Sequence, residues 1–434
     1  MLKLLAIIIL LLSVNVFSQE TLTLEKAVQI GLENNYSIKL AGNDLRISEN
    51  NATLGNAGFL PRLDLTASEN NSMNNTHQEY SSGQVTDKKN ATSASSTAGI
   101  ALNWTIFDGM NMFTNFSRLK ELNSLGEINA RAAVENNVAS IMSSYYNIVS
   151  IQQTIRAIQD AIKISEERVR IAEEKYNLGS GSKLELLQAR VDLNADRSNL
   201  LKQQISLSQA KVSLNQLMGL ESTKDFLIRD TIIISSRMDY NSLKNMVLNS
   251  NSALKSAGKN VSVASLNLSG LRSLWYPTLG LFLNYNFSGS QAQAGLIKSS
   301  QTNGFSYGLN LSFNLFNGLN TSRQVENAKI SLESSQLEYD DLKNKIQSSF
   351  EQEYTSYSNN IQQVKMEEEN LEAARQNAGI ALDRFKYGTY SSLELSVAQK
   401  SYLDAESRLV AAEYAAKKSE IELMRLSGQI IKQF

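Results

Sequence analysis

Apolar and polar residues alternate with a period of two in four places along the chain. After Pro277, one parity carries Leu279, Leu281, Leu283, Tyr285 and Phe287, and the other Thr278, Gly280, Phe282, Asn284 and Asn286. Before Phe316, the series Tyr307, Leu309, Leu311, Phe313, Leu315 alternates with Gly308, Asn310, Ser312 and Asn314. The first half repeats this more weakly, with Leu63, Leu65, Ala67 and then Ile100, Leu102, Trp104, Ile106. Such alternation predicts strands with one apolar and one polar face, at about 61–70, 97–107, 277–287 and 305–316. A soluble sandwich would produce the same pattern. Segments of roughly ten residues also suit a membrane barrel, however, with apolar side chains toward lipid and polar ones toward a wet lumen. Gly308, Asn310 and Ser312 suit a lumen better than a dry core, and no other segment offers a second sheet. Four strands cannot close a barrel, and open edges in lipid leave backbone groups unpaired. The barrel is therefore expected to be shared between chains, with two, three or four copies left open by the pattern.

Elsewhere the period is seven. Ile155, Ile162, Val169 and Tyr176 form one series, beside Ile151, Ile158, Ser165 and Ala172. A returning segment carries Leu186, Leu193, Leu200, Leu207 and Leu214. The second half matches these with Val364, Leu371, Ala378, Phe385 and with Leu395, Tyr402, Leu409, Ala416, Leu423. Sustained sevens predict long helices packed as left-handed coiled coils. Each long leg meets its return at a short turn, at 177–182 and 386–391.

The two halves are copies of one unit. An offset of 216 places Pro61 on Pro277, and an offset of 209 places Phe107-Asp108-Gly109 on Phe316-Asn317-Gly318 and Leu184-Glu185-Leu186 on Leu393-Glu394-Leu395. These are the only two prolines. Proline stops a helix yet tolerates the first position of a strand, so both read as helix-to-strand switches. The change of offset falls in the Asn/Ser/Thr-rich stretch Glu69–Ser96, read as a longer loop in the first copy. The organisation expected is a signal peptide at 1–18, a first repeat at 19–220, a linker at 221–239, a second repeat at 240–430 and a short tail at 431–434. Single helices are expected before each proline, over Thr23–Gly58 and Asn241–Leu274.

Composition narrows the function. A cationic start at Lys3, the apolar run Leu4–Leu12 and a small residue at Ser18 predict a cleaved secretory signal. The formal charge is -1 with no basic block, which argues against nucleic acid. There is no cysteine and a single histidine, His77, so disulfides, thiolate ligands and a metal centre have little to build on. No cofactor is expected, and no nucleophile–base pair suggests catalysis.

With its export signal, duplicated halves, Leu/Tyr-Pro-x-Leu strand openings, Phe-Asp/Asn-Gly strand exits and Tyr/Phe-x-x-Gly-x-x-Ser-x-Leu-Glu-Leu hairpins, the chain resembles the TolC family of outer-membrane efflux proteins. The resemblance covers nearly the whole mature chain. It implies a mixed α and β fold, internally duplicated: a long α-helical coiled-coil tunnel plus a membrane-spanning antiparallel β-barrel shared between three chains, four strands from each. It implies a homotrimeric outer-membrane channel with a long periplasmic extension, in contact with outer-membrane lipid. Such a channel passively conducts substrates of a tripartite efflux or type I secretion system, received from a periplasmic adaptor and, indirectly, an inner-membrane pump. A soluble periplasmic coiled-coil adaptor and a non-conducting structural protein are the alternatives.

The resemblance also assigns sites. It implies adaptor contact at the tips Leu178, Gly179, Ser180 and Tyr387, Gly388, Thr389. Glu185 and Glu394 stand where entrance carboxylates are expected, yet both also complete a Ser-x-x-Glu capping box with Ser182 and Ser391. Phe385 replaces a latching tyrosine, Tyr390 an arginine, and Val397 a second carboxylate. Phe385 and Tyr390 are therefore candidate entrance residues, and a closed state is expected to rest on aromatic packing of Phe385, Tyr387 and Tyr390.

Overall fold

The computed structural model describes residues 21–235 and 238–433, so the expected signal peptide lies outside the described residues. In chain order the helices and strands are α1 (Leu24–Asn34), α2 (Tyr36–Asn51), α3 (Leu54–Ala57), β1 (Arg62–Glu79), β2 (Val85–Phe107), α4 (Asn111–Asn177) and α5 (Lys183–Met218). The second copy follows as α6 (Tyr240–Ser250), α7 (Ser252–Arg272), β3 (Thr278–Ala292), β4 (Ser299–Ser312), α8 (Asn320–Lys386) and α9 (Ser392–Leu426). The duplication extends to length: α4 and α8 each contain 67 residues. At 1.5 Å per residue each is roughly 100 Å long. Two units are separable, one of residues up to Asn43, Ile128–Lys255 and from Asp341 on, the other of Asp44–Glu127 and Ser256–Asp340.

The second unit holds an antiparallel sheet in the order β1-β2-β3-β4, which leaves β1 and β4 as free edges. Directly paired residues share a face, and the register lines the apolar parities up across all four strands. One row is Leu63, Leu102, Leu283, Tyr307, and the next is Leu65, Ile100, Tyr285, Phe305. The opposite face has the rows Asp64, Ala101, Asn284, Ser306 and Thr66, Gly99, Asn286, Gly304. Phe282 is an exception on this polar face. Its ring lies over Gly308, where an added Cβ would meet Phe282 Cζ at 2.9 Å. Below the sheet, Trp104 Nε1 donates to the Phe59 carbonyl at 2.9 Å, and Phe59 packs edge-on against Phe113.

Two strand expectations need correcting. Most of Glu69–Ser96 is not loop: β1 and β2 run through it to a tight turn, where Tyr80 N donates to Gln84 O at 2.9 Å. Both faces are polar there, so no apolar contrast revealed the strands, while Ser68–Thr97 and Ser72–Ser93 hydroxyl pairs tie them across the ladder. Conversely, β4 stops at Ser312, and Phe313–Phe316 continue the alternation without being strand.

In the first unit the expected continuous helices are broken at Asn35 and Asn251, positions related by the repeat offset. Asn35 Nδ2 donates to the Leu217 carbonyl at the end of α5 (2.7 Å) while its Oδ1 accepts from Ser37 N (2.8 Å). Asn251 does the same toward Leu426 (3.0 Å) and Leu254 N (3.1 Å). One amide thus satisfies the last turn of one helix and the first turn of another. Gly219 and Gly428, with φ of 69° and 66°, end α5 and α9 beside these joints. A Cβ at Gly219 would lie 2.6 Å from Asn34 O, so left-handed φ and close approach both call for glycine. Asn251→Ala would strand two buried backbone groups and is expected to cost about 1–3 kcal/mol. Thermal unfolding followed by helical circular dichroism would measure it, with Asn35→Ala as the repeat-related comparison.

The main core of this unit gathers Val28, Ile141, Met142, Tyr145, Ile148, Leu214, Met218 and Phe226. The linker packs along it, and Leu227 bridges Thr21. Buried Glu420 holds Ser235 through its amide and hydroxyl, at 3.2 and 2.9 Å.

Candidate functional site

The two hairpin turns are built alike. After α4, Ser180 N and Gly181 N both donate to Lys175 O at 2.9 Å, and Gly179 turns at φ 74°. After α8, Thr389 N donates to Arg384 O at 2.9 Å, and Gly388 turns at φ 75°. These bonds satisfy the last carbonyls of each leg. The turns leave Leu178 82% and Tyr387 85% exposed, with Leu184 and Leu393 exposed beside them. The last two were not singled out in the sequence. They lie one position before Glu185 and Glu394.

The candidate entrance residues separate into two groups. Phe385 is buried, 1% exposed, in a cluster with Ile171, Ala381, Leu395 and Ala398, and Tyr390 packs against that cluster. Tyr387 takes no part, because its position in the turn points it to solvent. The aromatic grouping expected from the sequence is therefore Phe385 with Tyr390, completed by aliphatic residues of three helices.

The twin capping motifs also diverge. Ser391 and Glu394 form a complete box: Ser391 Oγ accepts from Glu394 N, and the carboxylate accepts from Ser391 N at 2.7 Å. In the first hairpin Ser182 Oγ accepts from Glu185 N at 3.1 Å, but Glu185 does not return the bond. Its Oε1 instead accepts from Ser392 N at 3.1 Å, at the start of α9. Lys175 crosses in the same way, its Nζ donating to Phe385 O at 3.2 Å and lying 4.4 Å from the centre of the Phe385 ring. Neither cross-hairpin bond was legible, because both depend on which helix lies alongside.

The backbone amide and hydroxyl of Ser391 hold the Glu394 carboxyl below its ordinary range. A depressed carboxyl favours the folded form above its unfolded pKa, and that contribution is lost as pH falls through the folded value. Glu394→Gln is therefore expected to speed amide exchange in the first turn of α9 a few-fold at pH 7. After correction for intrinsic rates, the difference from wild type should vanish well below pH 4.

Above the tip the packing becomes polar. Arg168, fully buried, pairs with Asp192 at 2.5 Å, and Ser396 Oγ donates to the same carboxylate at 3.1 Å. Gln399 Nε2 reaches Ser165 Oγ at 2.6 Å and Ala161 O at 2.7 Å, and Ser165 donates to Asp196 at 2.6 Å. Ser165, the one polar member of its heptad series, was the sequence signal for this layer.

The outer membrane efflux protein family model matches residues 27–220 and 243–429, one stretch in each copy. The chain belongs to this family. Members of the outer membrane efflux protein family are transport channels of the outer membrane with long periplasmic helices, and not enzymes. Among relatives, the outer membrane efflux protein BepC of Brucella suis is 21% identical over 94% of this chain and 86% of its own length. Among solved structures, the outer-membrane channel OprN superposes with a TM-score of 0.79 at 18% identity, over 94% of this chain and 90% of its own. VceC of Vibrio cholerae gives a TM-score of 0.76 at 18% identity, over 93% and 96%. The fold is therefore that of outer-membrane efflux channels, as the resemblance implied.

Proposed function

We propose that three copies of this chain close a twelve-stranded barrel in the outer membrane. Its helices would form the periplasmic duct of a tripartite efflux or type I secretion system. The observation that carries this reading is the sheet: four strands with one continuous apolar face, one polar face and two unpaired edges. In lipid an unpaired edge costs several kcal/mol for each backbone group, so β4 of one copy must meet β1 of the next. Exposed Leu187, Val191, Leu201, Ile205 and Val212 along α5 supply an apolar stripe suited to the same assembly. In this reading the organisation 19–220, 221–239 and 240–430 is two copies of one duct wall joined by a linker.

Substrate would enter from a periplasmic adaptor fed by an inner-membrane pump and leave passively. Adaptor contact is assigned to Leu178, Gly179, Ser180, Tyr387, Gly388 and Thr389, where each turn exposes a large apolar side chain. Glu185, Glu394, Phe385 and Tyr390 are assigned to the entrance, with Phe385 as the packed element and the glutamates as helix caps. Membrane fractionation followed by planar-bilayer recording tests the reading. A heat-modifiable trimer in the outer membrane that conducts KCl is the expected result. A soluble monomer, or a membrane trimer without conductance, would overturn it.

A further inference from the structure

One aromatic side chain stands on the polar face of the sheet. From the row of Thr278 to the row of Asn286, that face carries Phe282 as its single aromatic residue. Two glycines adjoin it, and they are used differently. Gly308, its direct partner on β4, lies beneath the ring, which supports the strand pair as an aromatic residue opposite a glycine does. Gly280, the next residue of β3 on the same face, stays uncovered. A Cβ placed there would meet nothing nearer than the Trp104 and Asn310 carbonyl oxygens, at 3.7 and 3.9 Å. Gly280 lies in regular strand without a left-handed φ, so its own backbone does not call for glycine. A glycine inside a strand gives up side-chain packing, and it often marks a place where a ligand approaches the backbone. Over Gly280 lies a recess of about 550 Å³, bordered by Phe282, Asn103, Thr105, Thr278 and Asn310. An aromatic wall with a few convergent amide and hydroxyl groups is the usual make-up of a small-molecule site.

From this recess we infer that the sheet carries a stacking site for planar aromatic solutes, with Phe282 as its wall and Gly280 as its open floor. This rests on the trimeric-channel reading, in which the polar face lines the lumen and every exported solute passes the site. A ring entering the recess packs against Phe282, because aromatic pairs gain beyond their buried area. The amides of Asn103 and Asn310 and the hydroxyls of Thr105 and Thr278 offer donors and acceptors to its polar substituents. No charged side chain borders the recess, so uncharged ring systems suit it best. The covered glycine explains why Phe282 is tolerated on a polar face. The open one gives the ring something further to do.

The probe is phenyl β-D-glucoside, with cyclohexyl β-D-glucoside as a control of similar size that lacks a π face. In planar bilayers in KCl, phenyl glucoside is expected to interrupt the open-channel current of the wild-type trimer, saturating with concentration. Cyclohexyl glucoside should do so several-fold more weakly. Gly280→Val fills the recess and leaves the ring in place, so trimer yield should hold while the interruptions fall several-fold. Phe282→Leu should lose the preference for phenyl over cyclohexyl and Phe282→Tyr should keep it. A ring that only supported Gly308 would not produce that pattern. Should the valine impair assembly, the two Phe282 variants decide on their own. Interruptions of wild-type strength in Gly280→Val or Phe282→Leu, or equal block by the two glucosides, would overturn the inference. A conducting trimer that neither glucoside interrupts would overturn the stacking site alone, whereas a chain that forms no conducting trimer would overturn the channel reading and the site with it.

Discussion

Leu283→Arg is expected to abolish the assembled barrel, while Asn284→Arg, one residue along the same strand, should assemble and change the ions it passes. Leu283 pairs directly with Leu102 and Tyr307 in the apolar rows, near the middle of the band from Leu279 to Phe287. An arginine near the bilayer midplane on a lipid-facing strand position costs roughly 2–4 kcal/mol. A closed trimer would carry that cost three times over, against a total folding stability of only about 5–15 kcal/mol for a typical protein. Asn284 belongs to the opposite row with Ala101 and Ser306, where water would solvate a guanidinium. Three lumenal arginines form a ring of like charge that repels cations. Trimer yield on gels without heating is the first measurement, with loss expected for Leu283→Arg and near wild-type yield for Asn284→Arg. Reversal potential in a KCl gradient is the second, with cation preference falling several-fold in Asn284→Arg. Equal assembly of both variants would mean that the apolar face does not meet lipid.

The contrast also shows which parts of the fold the sequence could reveal. Alternation is a local signal, and it located all four strands wherever one parity was apolar. It went silent beyond Ala67 in β1 and before Ala98 in β2, where Ser, Thr and Asn fill both faces and only ladder bonds hold the strands. It misled at Phe313–Phe316, where apolar residues alternate without a neighbour to pair with. Repeat offsets made the duplication legible but not its joints. Asn35 and Asn251 align at the offset of the prolines, yet an asparagine gives no sign that its amide will end one helix and start another.

Of the candidate site, the turns were the most legible part, since Gly179 and Gly388 are the residues that a left-handed turn favours. The glutamates were half legible. The motif Ser-x-x-Glu opens the returning helix of both hairpins and yields a closed box in one of them, because the Glu185 carboxylate meets the start of α9 whereas the Glu394 carboxylate bonds within its own turn. Local sequence specifies a good helix start. Which start the carboxylate serves is decided by packing.

Phe385→Ala is expected to leave the trimer intact and to raise its resting conductance several-fold. Phe385 is the largest buried side chain of its cluster, and truncating a buried phenylalanine costs about 3–5 kcal/mol through lost contacts and the cavity left behind. The same change removes the ring beneath the Lys175 ammonium, an attraction worth about 0.5–2 kcal/mol depending on desolvation. Lys175 would keep only its bond to the backbone carbonyl, and Glu185 its bond to Ser392 N. Sheet pairing does not involve this residue, so trimer yield should match wild type and separate a loosened tip from a failure to fold. Phe385→Leu retains much of the apolar volume but not the ring, and its conductance should fall between the two. Single-channel recordings of the three proteins in KCl read the order directly. A Phe385→Ala trimer with wild-type resting conductance would remove Phe385 from the entrance and leave the charged contacts alone to hold the tips.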